Sequence, residues 1–286
     1  MRDRIVAFGD VIDDIVAVPS GPIRDDTDTP SAIRFTPGGS AANTATWLAS
    51  LGSPVDFVGT VGAADVARHA AAMPGVTTHL EGHPVLTTGT IVVIVEGQRR
   101  SMLTERGANA AFNPAAVSDE LLSHAKVLHF TGHALLNAVG APGIVDVIAR
   151  ARAAGVAVSV SPGSAGFIAD YGVDRFRAAL AGATIIFPSL DEGRLLTGLD
   201  EPLAVASALA ADFEIVVLTL GAAGVLVNGE LVAASRVVVT DPTGAGDAFC
   251  AGFLHEWVRS GSLHASATAG TRVAARAVGA IGGRPA

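Results

Sequence analysis

Apolar residues occur in short runs along the chain, separated by polar or glycine-containing segments. Runs that are almost wholly apolar and rich in β-branched residues predict strands covered on both faces of a sheet. Such runs occupy residues 4–11, 55–62, 126–132, 156–163, 184–189 and 214–221. Stretches rich in alanine and leucine predict helices at 40–52, 145–155, 191–198 and 203–211. Strands that alternate with helices predict an α/β fold with a mostly parallel central sheet.

Two regions depart from this alternation. Residues 12–36 alternate between apolar and polar positions and contain many turn residues, whereas residues 87–104 have the pattern of a β-hairpin with its turn near Gly97. Such strands have no place in a βαβ unit, so they predict a separate small sheet. We therefore expect one α/β domain over residues 1–286, with a small β-sheet lid contributed by about 12–36 and 87–104.

Composition limits the location and the partners. Half of the 286 residues are hydrophobic and 16% are charged, which is ample material for a large core. The net charge of −8 argues against a nucleic-acid partner, since such proteins carry basic surfaces. No apolar stretch approaches the roughly 20 residues of a membrane-spanning helix, so no membrane association is expected. The single cysteine, Cys250, fits a reducing compartment, and the N-terminal pattern indicates a strand rather than a signal peptide. These features predict a cytoplasmic protein.

Lysine occurs once, as Lys126, far from any glycine-rich segment. A Walker A loop needs a lysine directly after its second glycine, to reach the β- and γ-phosphates. A protein kinase needs a strand lysine together with H-R-D and D-F-G elements. The sequence therefore excludes both kinds of phosphate-clamping lysine.

The segment DPTGAGDAF, residues 241–249, lies between an apolar run at 235–240, which predicts a strand, and an amphipathic stretch that predicts a helix. Gly244 and Gly246 permit a tight turn and the close approach of an anion to the first N–H groups of that helix. Asp247 lies in its first turn, where a carboxylate could accept the proton of an attacking hydroxyl. An ordinary helix start with a stabilising acid explains the same residues, so the segment alone leaves both interpretations open.

A second glycine pair, Gly38 and Gly39, precedes the helix predicted at 40–52, and Asn43 lies within its first turns. An amide side chain there could exchange hydrogen bonds with sugar hydroxyls. Taken alone, however, the segment is better explained as a glycine loop before an ordinary core helix.

Three acids, Asp10, Asp13 and Asp14, follow the first predicted strand. Open α/β sheets bind ligands at the carboxyl ends of their strands. Carboxylates there suit polyol recognition, because they accept hydrogen bonds from paired hydroxyls. For Asp10 and Asp13 we favour the alternative of a solvated acidic loop.

Together these stretches resemble one family, the ribokinase-like (PfkB) carbohydrate and nucleoside kinases. The resemblance extends over nearly the whole chain in order; its most specific part is DPTGAGDAFCAGF, and GGSAANTATWLASLG is moderately specific. It implies a Rossmann-like α/β ribokinase fold with a β-sheet lid, and in-line transfer of the ATP γ-phosphoryl group to a hydroxyl. It also implies a glycine anion hole in place of a lysine clamp.

The resemblance assigns roles to residues of this chain. It implies that Asp247 is the catalytic base and that Gly244, Ala245 and Gly246 form the anion hole. The implied substrate contacts are Asp14, Gly38, Gly39 and Asn43.

The remaining implied roles concern the nucleotide and a monovalent cation. Thr219, Gly221 and Gly224 resemble the family's nucleotide-binding T-x-G stretch, and Thr243 is placed near the phosphates. The segment 271–283, with Gly279, resembles the part that lines the adenine pocket. Asp241 matches a position near a monovalent-cation site, which implies that K⁺ could activate the enzyme.

One departure concerns Mg²⁺. The family often carries N-x-x-E before the nucleotide site, where it organises the Mg²⁺ shell; here Glu192 is kept and Ser189 replaces the asparagine. Serine can still hold a metal-bound water, so we expect Mg²⁺ dependence with an altered metal response. Arg106 and His133 are two further candidates for substrate contacts, although a plain surface role fits Arg106 equally well. Cys250 is expected to be a small buried core residue.

The sequence thus predicts an ATP-dependent kinase that phosphorylates a primary hydroxyl of a sugar or nucleoside. A pentose or a nucleoside such as pseudouridine ranks first as acceptor; a hexose or a 2-keto-3-deoxy sugar acid is the alternative. A non-catalytic sugar sensor of the same fold is a rival. A dinucleotide-dependent oxidoreductase is disfavoured, because no G-x-G-x-x-G follows the first strand. A homodimer through the lid is a further expectation.

Overall fold

The computed structural model describes residues 3–96 and 99–285. In chain order, its strands are β1 (Arg4–Phe8), β2 (Ile12–Pro19), β3 (Ser31–Gly38), β4 (Val55–Gly62), β5 (Thr77–His83), β6 (Gly89–Glu96), β7 (Arg99–Glu105), β8 (Ala125–Thr131), β9 (Ala157–Ser161), β10 (Ile185–Ile186), β11 (Ile215–Thr219), β12 (Val225–Val227) and β13 (Glu230–Val232). Its α-helices are α1 (Ser40–Ser50), α2 (Val66–Ala71), α3 (Asp119–His124), α4 (Ala141–Ala153), α5 (Ala165–Tyr171), α6 (Val173–Ala179), α7 (Leu190–Thr197), α8 (Pro202–Leu209), α9 (Ala245–Ser260) and α10 (Leu263–Val278).

The larger sheet has the strand order β13-β12-β11-β10-β9-β8-β1-β4-β5. Neighbouring strands from β11 to β5 pair in parallel, whereas β12 and β13 add an antiparallel hairpin at one edge. The six predicted buried strands correspond to β1, β4, β8, β9, β10 and β11, so the predicted parallel α/β architecture is confirmed. The pattern missed β5, whose side chains alternate between exposed and half-buried, because an edge strand has no continuous apolar run.

The two faces of the sheet carry separate cores. Ile5 and Ala7 of β1 pack with α1, α9 and α10, whereas Val6 and Phe8 point to the opposite face and pack with α4 to α8. Successive strand residues point to opposite faces, and here both faces are apolar because both are covered. This explains why β1 is apolar without alternation.

The smaller sheet has the order β3-β2-β6-β7. Strand β2 pairs antiparallel with β3 and parallel with β6, and β6 pairs antiparallel with β7. These strands come from the two segments that the alternating pattern had set apart. The turn expected near Gly97 lies outside the described residues. Strand β3 ends at Gly38, directly before α1, so the two sheets meet beside the N-terminus of that helix.

The strand predicted at residues 235–240 is wrong. In the described chain, residues 233–239 lie outside both sheets, and Val238 is 87% exposed. The β-branched run has no strand beside it; instead, the N–H groups of Thr240 and Asp241 both donate to the carbonyl of Val278 at the end of α10. Apolar character here therefore marks an exposed surface beside the end of α10.

Within the described residues, no helix has the length and apolar content needed to cross a membrane.

Candidate active site

Asp10 lies two residues after Phe8, the last residue of β1, and it is 7% exposed. Its Oδ2 accepts a hydrogen bond from the N–H of Ser40 at 2.9 Å, and its Oδ1 accepts one from the hydroxyl of Thr131 at 3.0 Å. The expectation of a solvated loop is wrong for Asp10, because this carboxylate joins the ends of β1 and β8 to the N-terminus of α1 and holds that helix in place.

Asp13 and Asp14 lie on β2 rather than in a loop. Asp13 forms a bidentate ion pair with Arg68, with both N–O distances at 2.7 Å, so the solvated-loop expectation is wrong for it as well. Asp14 packs directly against Gly38, where any Cβ would overlap its carboxylate. Burial, together with the charge of Asp10, raises the pKa of Asp14 to about 6. The site therefore holds one carboxylate that is paired with an arginine and one whose pKa is raised by burial.

The turn before α1 requires glycine. Gly39 has φ +92°, a region that favours glycine, and a Cβ there would overlap the carbonyl of Asp10. The turn brings Ser40 and Asn43, in the first turn of α1, towards α9.

Asp247 lies in the first turn of α9. Its Oδ1 accepts from the hydroxyl of Ser40 at 2.5 Å, and its Oδ2 accepts from Nδ2 of Asn43 at 3.0 Å. Burial raises the pKa of Asp247 to about 7; the two hydrogen bonds lower it, and the charges of Asp10 and Asp14 raise it further. A carboxylate that exchanges a proton near neutral pH and is held by two donors has the properties of a general base.

The turn that leads into α9 supplies an anion-binding end. Gly244 is the N-cap residue, with φ +74°. Because it is a glycine, it offers no side chain to the first N–H groups of the helix. Gly246 is exposed and has open space where a Cβ would lie. The first N–H groups of a helix have no partner within the helix. The N–H of Ala245 donates to the carbonyl of Pro242 at 3.3 Å, so those of Gly246 and Asp247 are the ones that suit a phosphoryl group.

Arg284 joins this cluster, and the sequence reasoning missed it. Its Nε donates to Oδ1 of Asn43 at 3.1 Å, Nη1 to the carbonyl of Ala72 at 2.9 Å, and Nη2 to the carbonyl of Gly38 at 2.8 Å. Ser40 was also missed. Neither residue belongs to a spacing that indicates chemistry, so only the folded chain reveals them.

Arg106 and His133 lie together on the other side of Asp10. Nη2 of Arg106 donates to the carbonyl of His133 at 3.2 Å, whereas its Nε is buried without a hydrogen-bond partner. Burial lowers the pKa of both side chains, and the charge of Asp10 opposes that effect. The ring of His133 packs against Phe167 at 5.0 Å between centroids. Arg106 is thus not a plain surface residue.

Ser189 and Glu192 form a capping box at the start of α7. The Ser189 hydroxyl accepts from the N–H of Glu192 at 3.3 Å, and Oε2 of Glu192 accepts from the N–H of Ser189 at 2.7 Å. Burial raises the pKa of Glu192, against the effect of these bonds. Both residues therefore have a structural role before any metal is considered.

The T-x-G segment lies at the end of β11, beside Ser189. A single parallel bridge joins Thr219 to Ser189, and the Thr219 hydroxyl donates to the carbonyl of Pro188 at 3.3 Å. Gly221 has φ +58° and Gly224 has φ +112°, so both positions favour glycine. Because the strands from β11 to β1 pair in parallel, Thr219 at the end of β11 lies at the same edge of the sheet as the ends of β1 and β8.

Asp241 organises the segment before the anion-binding turn. Its Oδ1 accepts from the N–H of Thr243 at 2.9 Å and from its hydroxyl at 2.6 Å, and its Oδ2 accepts from the N–H of Gly282 at 3.0 Å. Gly279, which ends α10, has φ −81°, so its backbone does not require glycine. These contacts bring the chain after α10 against the approach to α9.

Among the described residues, no group of three or more His, Cys, Asp or Glu side chains forms a metal cluster. Mg²⁺ in phosphoryl-transfer sites is often held by one or two carboxylates together with substrate phosphates. The carboxylate of Glu192 beside the hydroxyl of Ser189 fits such a site. Asp247 and Glu192 both lie close to Cys250, whose thiol pKa is raised chiefly by burial and further by these two charges. Cys250 itself is 2% exposed, as expected for a core residue.

The family model described as pfkB family carbohydrate kinase matches residues 2–286. The chain belongs to this family. Its members are phosphotransferases with hydroxyl acceptors that use ATP and Mg²⁺, so this pfkB-family chain is an enzyme of the sugar and nucleoside kinase class.

Three similar proteins show the range of kinases that this chain resembles. Ribokinase from Haemophilus influenzae is 28% identical over 89% of this chain and 85% of that one. ATP-dependent ribose-1-phosphate kinase from Halopiger xanaduensis is 33% identical over 79% of this chain and 75% of its own. The crystal structure of adenosine kinase from Sinorhizobium meliloti superimposes with a TM-score of 0.88 and 26% identity, and the match covers 100% of this chain and 96% of that one. Other relatives are named 1-phosphofructokinase and fructokinase, so the comparisons leave the acceptor of this pfkB-family kinase open.

Proposed function

We propose that this kinase transfers the γ-phosphoryl group of ATP to a primary hydroxyl of a pentose or a nucleoside, with Asp247 as the general base. The observation that carries the proposal is the position of Asp247: its carboxylate lies in the first turn of α9, beside the anion-binding N–H groups. The proposed base and the proposed phosphoryl-binding N–H groups thus lie in the same helical turn.

The acceptor would lie between the small sheet and α1. Asp14 reaches this space from β2, next to Gly38 and Gly39. A carboxylate there accepts hydrogen bonds from sugar hydroxyls, and Asn43 offers its amide beside Asp247. Arg106 and His133 close the side near Asp10. The role of the small sheet as a lid over the acceptor is part of this proposal.

The chemical step requires no covalent intermediate. Asp247 accepts the proton of the attacking hydroxyl as its oxygen bonds to the γ-phosphorus, and the bond from that phosphorus to the β–γ bridging oxygen breaks, which releases ADP. The N–H groups of Gly244, Gly246 and Asp247 stabilise the charge on the transferring phosphoryl group.

The nucleotide would extend from α9 towards β11. Thr219, Gly221, Gly224 and Thr243 lie along this path, and Gly279 marks the end of α10. Val237, Val238, Val239 and Ile281 are exposed on the adjoining segments, and they offer an apolar surface for an adenine ring. The family resemblance assigned segment 271–283, which contains Ile281, to the adenine pocket, but no such role was assigned to the valines, which were predicted to form a strand.

Glu192 and Ser189 would hold the Mg²⁺ shell through water, and the metal would neutralise phosphate charge. K⁺ activation through Asp241 is proposed as well, although both of its carboxylate oxygens are already bonded to the protein. Assays in KCl, NaCl and tetramethylammonium chloride at equal ionic strength test this; equal rates would contradict it.

The acceptor class rests on the names of the relatives above, three of which are kinases of ribose, ribose 1-phosphate or adenosine. A hexose is the second candidate, since fructokinases are also relatives. A sugar acid is the third candidate for the acceptor, and a non-catalytic sensor is the alternative to an enzyme.

The experiment is ADP release with Mg²⁺-ATP over a panel of pentoses, hexoses, sugar phosphates, keto-deoxy acids and nucleosides, with wild type beside Asp247→Asn. Turnover on a pentose or nucleoside that disappears in Asp247→Asn supports the proposal. Turnover only on a hexose or a sugar acid would show that this compound, and not a pentose or nucleoside, is the acceptor. Thermal stabilisation without turnover would favour the non-catalytic sensor.

A homodimer through the small sheet and a cytoplasmic location complete the proposal. Ile33 and Phe35 on β3 and Leu103 on β7 are each more than half exposed, and the strand registers place them on one face of the small sheet. A second copy that packs its own small sheet on these residues would bury them. Light scattering of wild type and Phe35→Asp tests this; a monomeric wild type at micromolar concentration would contradict it.

A further inference from the structure

A chain of two hydrogen bonds links the C-terminal segment to Asp247. Nε of Arg284 donates to Oδ1 of Asn43 at 3.1 Å, and Nδ2 of Asn43 donates to Oδ2 of Asp247 at 3.0 Å. A guanidinium can only donate and an ionised carboxylate can only accept. The amide of Asn43 between them therefore has one orientation that satisfies both neighbours, and Arg284 selects it.

The guanidinium of Arg284 is itself fixed in place. Nη1 and Nη2 donate to the carbonyls of Ala72, at the end of α2, and Gly38, at the end of β3. The backbone beside it is also held, because Nε1 of Trp47 donates to the carbonyl of Gly283 at 2.9 Å. A planar fork with three separate acceptors is a geometry that lysine cannot reproduce.

The charges around Asp247 give this contact a second consequence. Asp10, which follows β1, and Asp14, on β2, both raise the pKa of Asp247, in addition to burial. Arg284 is a cation near Asp14 and Asp247: burial lowers the pKa of Arg284 to about 10, and the charges of Asp14, Asp13 and Asp247 oppose that effect. Its guanidinium remains protonated at neutral pH and counters the negative charge of Asp14 near the base.

We propose that Arg284 is a positioning residue for the phosphoryl-transfer step, which orients the amide of Asn43 towards Asp247 and offsets the negative charge of Asp14. The inference rests on the proposed role of Asp247 as base. It assigns the C-terminal segment a part in catalysis, since this segment closes the site beside the anion-binding turn, where Gly283 leaves no room for a Cβ on Gly244.

The first measurement needs no acceptor. Protein labelled with ¹³C at the aspartate carboxyl carbon is titrated by NMR from pH 5 to 9, and Asp247→Asn assigns the signal of Asp247. Arg284→Met keeps the length of the side chain but removes the charge and all three donors. We expect it to raise the pKa of Asp247 by about 0.5–1 unit, because a cation and an oriented donor are both lost.

Steady-state kinetics give the second readout, with D-ribose and adenosine as acceptors. In Arg284→Met, turnover at pH 7 should fall about two- to fivefold and should recover at pH 9, where Asp247 is ionised in both proteins. The KM for ATP should stay within about twofold. Arg259→Met is the matched control, because Arg259 is an exposed arginine in the last turn of α9, at the opposite end of that helix from Asp247, and the substitution should leave the profile unchanged.

A purely structural role predicts a different outcome, namely an equal loss of turnover at every pH and an unchanged pKa of Asp247. That result would overturn the inference. If Arg284→Met does not fold, Arg284→Lys replaces it; Lys keeps the charge without the fork, so it should give a smaller upward shift, and no shift would overturn the inference. Full turnover in Asp247→Asn would instead remove the proposed function itself.

Discussion

Asn43 donates through Nδ2 to Oδ2 of Asp247 at 3.0 Å, although 204 positions separate the two residues in the chain. The bond joins the first turn of α1 to the first turn of α9, beside the turns formed by Gly39 and Gly244. Both helix N-termini thus face one carboxylate. The dipoles of the two helices favour its ionised form, whereas burial favours the protonated form.

The pH dependence of turnover should report this balance. Since the pKa of Asp247 is about 7, kcat/KM should fall as the pH decreases below 7, where the base becomes protonated. Asp10→Asn removes a negative charge near Asp247 and should move this acidic limb to lower pH by about 0.5 unit. Rates measured from pH 5 to 9 check this. A flat wild-type profile, or an upward shift in Asp10→Asn, would contradict the assignment.

Asp247→Asn should stabilise the fold in a pH-dependent way. The folded-state pKa of about 7 lies above the ordinary value of 3.8, so the wild type loses stability as the pH rises through 4 to 7 and its buried carboxyl ionises. The neutral amide avoids this loss. The variant should therefore melt about 2–4 °C or more above wild type at pH 8, and the difference should shrink towards pH 5.

Melting curves at pH 5, 6, 7 and 8 test that prediction. Asp170→Asn, at an exposed position on α5, is the control and should show no such trend. A constant difference in melting temperature across the pH range would argue that Asp247 is ionised in the folded protein throughout.

Gly246→Ala should have opposite effects on the stability of the fold and on phosphoryl binding. A Cβ at Gly246 has open space and the position is helical, so the substitution should stabilise α9 by about 0.5–1 kcal/mol. If phosphate occupies that space, the same Cβ obstructs it, and kcat/KM for ATP should fall at least about tenfold.

Gly166→Ala is the matched substitution, because Gly166 lies in α5 with equally open space. It should stabilise to a similar extent and leave kcat/KM unchanged. Full activity in Gly246→Ala would exclude Gly246 from the anion hole.

Substitutions of Ser189 should change the Mg²⁺ response. Ser189→Asn retains a good N-cap residue for α7 and restores the asparagine of the family pattern, so the half-saturating Mg²⁺ concentration should fall with little change in melting temperature. Ser189→Ala loses the capping hydroxyl and should cost about 1 kcal/mol of stability. Mg²⁺ titrations at saturating ATP give the readout. Identical titrations for the three proteins would remove Ser189 from the metal shell.

Local pattern was sufficient for much of the larger sheet. The strands β1, β4, β8, β9, β10 and β11 were predicted because burial on both faces leaves a continuous apolar run, which is a property of the strand itself. The glycine turns at Gly39 and Gly244 were also readable, since their backbone conformations exclude most other residues. The place of Asp247 after such a turn made it a candidate, and the family resemblance gave it the role of base.

The tertiary structure decided the environment of each charge. Asp10 and Asp13 have similar local sequence contexts, yet Asp10 is buried between Ser40 and Thr131 and Asp13 pairs with Arg68. The valines at 237–239 have the sequence pattern of a strand, but no strand pairs with them in the part of the chain that the structure describes.

Arg284 shows the same limit most clearly. The sequence determined the local backbone and the alternation of strands and helices, because both depend on residues a few positions apart. Hydrogen-bond partners and pKa values depend on which distant segments the fold brings together. Only the structure could therefore place Arg284 beside Asn43, 241 positions away, and connect the end of the chain to Asp247.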